Sequence, residues 1–334
     1  MTLPPVVFPA KQWDTADPKD LKIDTQPLDE LARSTGGSGA VVRHGYLCYT
    51  WGDQQVRHGW ASAAKPVMST MLMFAVAEGK LKGVDDLVGN FGWNFIEKDR
   101  TMTFRHLADM TSGYACPEEP GQAWGYNDYA IQLYGQTLDR VFGGPLGEAA
   151  MQPHRLGPLQ FDSDSVFSKE HNTHGVRLSA QDFARIGWLW LNRGRWGGRQ
   201  LIPRSLFDAC CRPDVPVDLP RTASSRERDS TNDYLPITSY GGGTNQTRNG
   251  PGIYGFNWWF NTLAPKGTAI HWPAAPYDTF QANGMWGQFQ CTVFPSMGLV
   301  VAAAKSNWGK QNVPGDPDQP HNQAMKLVMA AVKD

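Results

Sequence analysis

The chain has 334 residues, more than one hydrophobic core usually holds, and its 41% hydrophobic content with 13 Trp, 15 Phe and 10 Tyr excludes a mostly disordered protein. A formal net charge of −1 with acidic and basic residues interspersed gives no electrostatic footprint for nucleic acid or an anionic membrane, so a small, neutral or weakly charged ligand is the expected partner. The five cysteines, Cys48, Cys116, Cys210, Cys211 and Cys291, form no C-x-x-C pair, which leaves no zinc or redox motif and reads as free, mostly buried thiols.

The start, MTLPPVVFPAKQW, lacks the basic-then-apolar layout of a signal peptide, and no run approaches the roughly 18 apolar residues of a membrane span. A soluble protein is expected, cytoplasmic or trimmed of a leader. The stretch to about Leu21 is rich in Pro, Asp and Lys without a period and reads as an arm over the surface. GAVVRHGYLCYTWGD, from Gly39, mixes β-branched and aromatic residues about a central His-Gly turn and predicts a hairpin. From Pro66 to Gly79, Val67, Met68, Met71, Leu72, Phe74, Ala75 and Val76 recur at helical spacing, and Gly79 is a stop.

Between about Val84 and Thr173 the segments TFRHLADMTSG, YNDYAIQLYGQTLDRVFG and PLGEAAMQPHRLG read as helices or helix ends, with no alternating strand. SAQDFARIGWLWLNRG, from Ser179, has a serine cap, an aspartate in the first turn and a terminal glycine, and predicts a helix. The Pro- and Gly-rich stretch 212–252, with GGG at 241–243, predicts a long irregular excursion. After it YGFNWWFNT reads as a strand, QFQCTVFPSMGLVVAAAKSN as a strand pair and NQAMKLVMAAVKD as a helix. Strands at both ends around a helical insert predict an α/β lobe in two parts, 1–82 and 175–334, and a helical lobe, 83–174.

WASAAKPVM, from Trp60, raises the chemical question. Ser62 stands at the start of a helix with Lys65 three residues on, and residues three apart share a helix face. A serine hydroxyl needs a base to act as a nucleophile at neutral pH. Desolvation and the positive end of a helix both disfavour a lysine's ammonium form, so Lys65 is a candidate base. The alternative is a capping serine beside a solvated lysine, and the spacing leaves both open. Glu170, His171 and His174 in EHNTH read as a polar loop rather than metal ligands. No G-x-S-x-G elbow is present, and GGG is not followed by Gly-Lys-Ser/Thr, so neither an α/β-hydrolase nucleophile nor a phosphate loop has an anchor.

Ser62-x-x-Lys65, TFRHLADMTSG, PGQAWGYND, HGVRLSAQDFARIG and ANGMWGQFQCTVFP follow one another in an order that resembles the serine β-lactamase and penicillin-binding-protein superfamily. The likeness is to its class C-like branch, with family VIII carboxylesterases and 6-aminohexanoate-dimer hydrolases, and covers the chain from about Gly39 onward. The resemblance implies an α/β (α+β) fold, an antiparallel sheet flanked by helices plus an all-helical lobe. It makes Ser62 the acylated nucleophile, Lys65 its base and Tyr126 a proton relay, and it sets the oxyanion donors on the backbone N–H groups of Ser62 and Met285. It leaves His106 outside the catalytic set, as a structural imidazole. Two departures stand out: Asp128 replaces the Asn of Tyr-x-Asn, and Ala282-Asn283-Gly284 replaces Lys-Thr-Gly, so the carboxylate-binding lysine is missing. Gly284, Asn283, Asp128 and Trp286 are the expected substrate contacts. Arg221 and Arg248 in the excursion are candidates to supply the missing charge. The implied function is a cofactor- and metal-free serine hydrolase acting on a small-molecule ester or amide. The alternatives are a β-lactamase or D-alanyl-D-alanine peptidase, and a non-catalytic peptide-binding member.

Overall fold

A computed structural model describes residues 3–162, 166–168, 174–223, 250–263, 270–310 and 315–333. In chain order the elements are α1 (Thr25–Thr35), β1 (Ser38–Arg43), β2 (Tyr46–Trp51), β3 (His58–Gly59), α2 (Lys65–Ala77), α3 (Phe104–Ala108), α4 (Asp128–Phe142) and α5 (Leu146–Ala150). There follow β4 (Phe167–Ser168), β5 (Gly175–Leu178), α6 (Ala180–Leu191), β6 (Arg195–Trp196), β7 (Arg199–Gln200) and α7 (Arg204–Cys210). The last are β8 (Tyr254–Gly255), β9 (Trp258–Phe260), β10 (Phe280–Gly284), β11 (Phe289–Phe294), β12 (Leu299–Ala304) and α8 (Pro320–Ala331).

Seven strands form one antiparallel sheet in the order β2-β1-β12-β11-β10-β9-β8. The expected β1–β2 hairpin closes through His44 at φ 52° and Gly45 at φ 91°, the paired left-handed conformation that matches strand twist. β12 is LVVAAA and buried throughout because it faces helices on both sides. Leu299, Val301 and Ala303 pack in one core with Leu28 and Leu31 of α1 and Met325 and Val328 of α8. Val300, Ala302 and Ala304 share the other core with Phe183, Ala184 and Ile186 of α6 and with α2. The result is an antiparallel sheet between helical layers, the architecture that the resemblance implies.

α2 is buried from Lys65 to Ala75, a helix apolar all round rather than amphipathic. α6 begins as expected, with the Ser179 side chain accepting from Asp182 N–H. The N-terminal arm lies across α6, where Arg185 Nη1 and Nη2 donate to Ala10 O at 2.7 Å and Lys11 O at 2.8 Å.

Three details differ from the sequence reading. A strand does occur inside the helical stretch: β4 pairs with β5 in a small sheet with β3, and two residues are too few to show alternation. YGFNWWFNT is two strands, because Phe256 (φ 44°) and Asn257 (φ 70°) turn the chain and are held by Asp109 Oδ1 and Ala108 O. α1 carried no expectation: only Leu28 and Leu31 of it are buried, too thin a stripe to declare a period. Gly241–Gly243, Arg248, Glu170 and His171 lie outside the described residues. All five cysteines are free, and all but the half-buried Cys211 are buried. Among the described residues no helix is long and apolar enough to cross a membrane.

Candidate active site

Ser62 lies in a 3-10 turn, Ala61–Ala64, that runs directly into α2. The turn is fixed from behind by Trp60, whose backbone N–H donates to Val176 O at 2.9 Å and whose indole N–H donates to Leu178 O at 2.9 Å. The Trp60 ring stacks on Phe183 of α6 at 4.1 Å and 9°. Ala61 then takes φ 47°, a left-handed conformation that costs a residue with a Cβ on the order of 1 kcal/mol. That bend leaves Ser62 half-buried while Ala63 and Ala64 are buried beneath it.

Lys65 is the first residue of α2 and only 6% exposed, and its Nζ stands 2.7 Å from Ser62 Oγ. Tyr126, also 6% exposed, presents its ring centroid 4.8 Å from Lys65 Nζ. The ring is wedged among Trp124, Tyr254 and Trp259, each with its centroid 6.2 Å away. Asn127 next to it caps α4, accepting from Ala130 N–H at 2.7 Å and donating to Tyr114 O at 3.3 Å. That cap orients Tyr126 on one side and Asp128 on the other.

Asp128, set by the resemblance at a substrate contact, is turned toward Lys65, with Oδ1 3.7 Å from Nζ and both side chains almost fully buried. This pairing corrects the expected electrostatics of the lysine. Burial alone drives the ammonium's pKa down, but Tyr126 and Asp128 outweigh it and hold Lys65 above its ordinary value. Lys65 at rest is therefore a charged donor to Ser62 Oγ. The sequence does contain the signal, an acidic residue two places after Tyr126, yet nothing in it shows that α4 brings this residue to the start of α2.

The third wall is the β10–β11 hairpin. A Cβ on Gly284 would sit 2.7 Å from Trp60 O and 3.0 Å from Ser62 N, so only glycine lets β10 pass this close to the serine turn. Met285 (φ 46°) and Trp286 (φ 54°) follow in left-handed conformations and are 38% and 51% exposed. Asn283 is engaged within the hairpin: it donates to Gln281 Oε1 at 2.7 Å and accepts from Gly287 N–H at 3.1 Å. Ala282 is fully buried.

Other candidates are placed elsewhere. Ser112 is 1% exposed and its Oγ accepts from Tyr114 N–H. His106 closes the capping box of α3, its Nδ1 accepting from Thr103 N–H, a structural role as read from the sequence. His174 is buried against Asp139 Oδ2 at 2.8 Å. The Arg221 guanidinium lies over Trp124, 6.0 Å from the ring centroid.

A sheet layered between helices, with a serine and a lysine at the start of a buried helix against one of its strands and a tyrosine facing them, defines the class of β-lactamase-like proteins. The family model described as Beta-lactamase matches residues 26–323, and the chain belongs to that family. Among solved structures it is similar to a penicillin-binding protein homologue from Caulobacter crescentus, at 14% identity and TM-score 0.65, covering 96% of this chain and 99% of that one. A β-lactamase from Mycobacterium bovis matches at 17% identity and TM-score 0.62, over 92% of this chain and 100% of that one. EstCE1, described as a hydrolase with promiscuous acyltransferase activity, matches at 16% identity and TM-score 0.59, over 93% and 97%. A search of curated protein sequences gives no significant match.

Proposed function

We propose that this protein is a serine hydrolase that cleaves small esters or amides through an acyl-enzyme on Ser62. The observation that carries the reading is the 2.7 Å hydrogen bond between Ser62 Oγ and a buried Lys65 that also faces Tyr126. In the reactive state the Lys65–Tyr126 pair is one proton short. It takes the Ser62 hydroxyl proton as Oγ bonds to the carbonyl carbon and the carbonyl electrons move onto oxygen. The backbone N–H groups of Ser62 and Met285 receive that oxyanion, and a donor of this kind is commonly worth about 3 kcal/mol. Collapse breaks the bond to the leaving group, which takes the proton from the pair. Water then repeats the sequence on the acyl-enzyme and frees Ser62.

The substrate is proposed to be uncharged where it lies along β10. β10 presents a buried alanine and an asparagine already bonded at both ends of its amide, so the strand offers no cation. A fluorophosphonate should add once to the intact protein, on Ser62, and in a panel of p-nitrophenyl esters, anilides and β-lactams the uncharged esters or anilides should be turned over by the wild type and not by Ser62→Ala. Labelling on another serine, or none with no turnover, overturns the assignment and favours a cleft that only binds.

A further inference from the structure

The turn that carries Met285 is held by one directed chain of side chains reaching α8. Gly287 N–H donates to Asn283 Oδ1 at 3.1 Å, and Asn283 Nδ2 donates to Gln281 Oε1 at 2.7 Å. Gln281 Nε2 in turn stands 2.6 Å from Thr292 Oγ1 and 3.2 Å from His321 Nε2, and His321 Nδ1 stands 3.1 Å from Gly309 O. Gln281 and Thr292 are fully buried and His321 is 1% exposed.

Hydrogen-bond chemistry leaves one way to orient this chain. The Gly309 carbonyl only accepts, so the proton of His321 is on Nδ1 and the ring is neutral; burial holds its pKa down at about 4. Nε2 is then an acceptor, and Gln281 has two amide protons, one for Nε2 and one for Thr292. Its carbonyl is left to face Asn283, whose own carbonyl is left for Gly287. The far end is clamped as well, because Trp308 N–H donates to Gly287 O at 2.8 Å. This restraint acts on two successive residues, Met285 and Trp286, held in left-handed conformations that are unfavourable without it.

We propose that His321 is a positioning residue of the oxyanion turn: its Nε2 fixes the Gln281 carboxamide, which fixes Asn283 and so aims the Met285 backbone N–H at the carbonyl oxygen bound beside Ser62. This rests on the acyl-enzyme reading. The test is a cycle of His321→Phe, Asn283→Ala and the double variant, read by p-nitrophenyl butyrate hydrolysis and by amide exchange of the peptide spanning 285–288. Each single variant should lower kcat by about ten- to a hundredfold with KM changed by no more than about twofold. The double variant should lose no more than the worse single one, because both break one chain. Exchange at 285–288 should speed up in all three. His321→Gln, which restores an acceptor for Gln281, should recover part of kcat. If His321→Phe does not fold, Gln281→Met breaks the same link and takes its place in the cycle. Folded variants with unchanged kcat and exchange, or losses that add, overturn the proposal. Faster exchange in the variants of a wild type that neither hydrolyses ester nor takes a fluorophosphonate upholds the chain and overturns the acyl-enzyme reading instead.

Discussion

At the scale of single residues, the Lys65–Asp128 pair decides how the site responds to pH. Burial alone would lower the Lys65 pKa, but Tyr126 and Asp128 outweigh it, so Lys65 gives up its proton only toward alkaline pH. The limb of kcat/KM should therefore rise with pH. Asp128→Asn removes the carboxylate that stands 3.7 Å from Lys65 Nζ, burial gains weight, and the limb should move to lower pH. An unmoved limb in a folded Asp128→Asn protein would take Asp128 out of the proton balance. This pairing also marks how far the sequence could be read. Ser62 and Lys65 were legible because they lie on one turn of chain and three-residue spacing has a fixed geometry. The partnership of Lys65 with Asp128, or of Gln281 with His321, depends on how distant elements pack, and no local period encodes it.

At the scale of elements, the site is made by two turns pressed together, the serine turn after β3 and the end of β10. Gly284→Ala would push a methyl group to 2.7 Å from Trp60 O and 3.0 Å from Ser62 N, contacts no side-chain rotation can relieve. We expect kcat to fall by about ten- to a hundredfold, the loss that follows when an oxyanion donor is displaced, together with a lower Tm. Gly83→Ala is the matched control, since nothing lies within 4 Å of its added Cβ and its activity and Tm should stay close to wild type. Equal behaviour of the two variants would contradict the close approach. α6, with its single strong period, and α2, with its apolar run stopped by Gly79, were legible along with the β1–β2 hairpin and its His-Gly turn. β8 and β9 were not, since the turn that splits them is held by Asp109 and Ala108 from a different part of the chain.

At the scale of the whole molecule, the distribution of charge around the cleft argues for the substrate class. Two cations near the site are set against aromatic faces: Arg221 over Trp124 at 6.0 Å and Lys310 over Trp286 at 4.7 Å. Neither stands on β10, where the resemblance calls for a lysine. A carboxylate buried there without a partner costs several kcal/mol. We expect kcat/KM for p-nitrophenyl acetate or butyrate to exceed that for nitrocefin or benzylpenicillin by at least about a hundredfold, equivalent to about 3 kcal/mol. Efficient penicillin hydrolysis that disappears in Arg221→Ala or Lys310→Ala would reverse the preference and make that cation the carboxylate anchor.

The strand order has a consequence for how the protein is made. β1 pairs with β2 on one side and with β12 on the other, in register from Ser38↔Ala304 to Arg43↔Leu299. During synthesis the early hairpin emerges while β12 is still some 250 residues from translation, a wait of tens of seconds at about 5–20 residues per second. Through that interval SGAVVR keeps one row of backbone donors and acceptors open, on a strand that is apolar at its centre. An open apolar edge of this kind is a template for pairing with a neighbouring chain until β12 covers it.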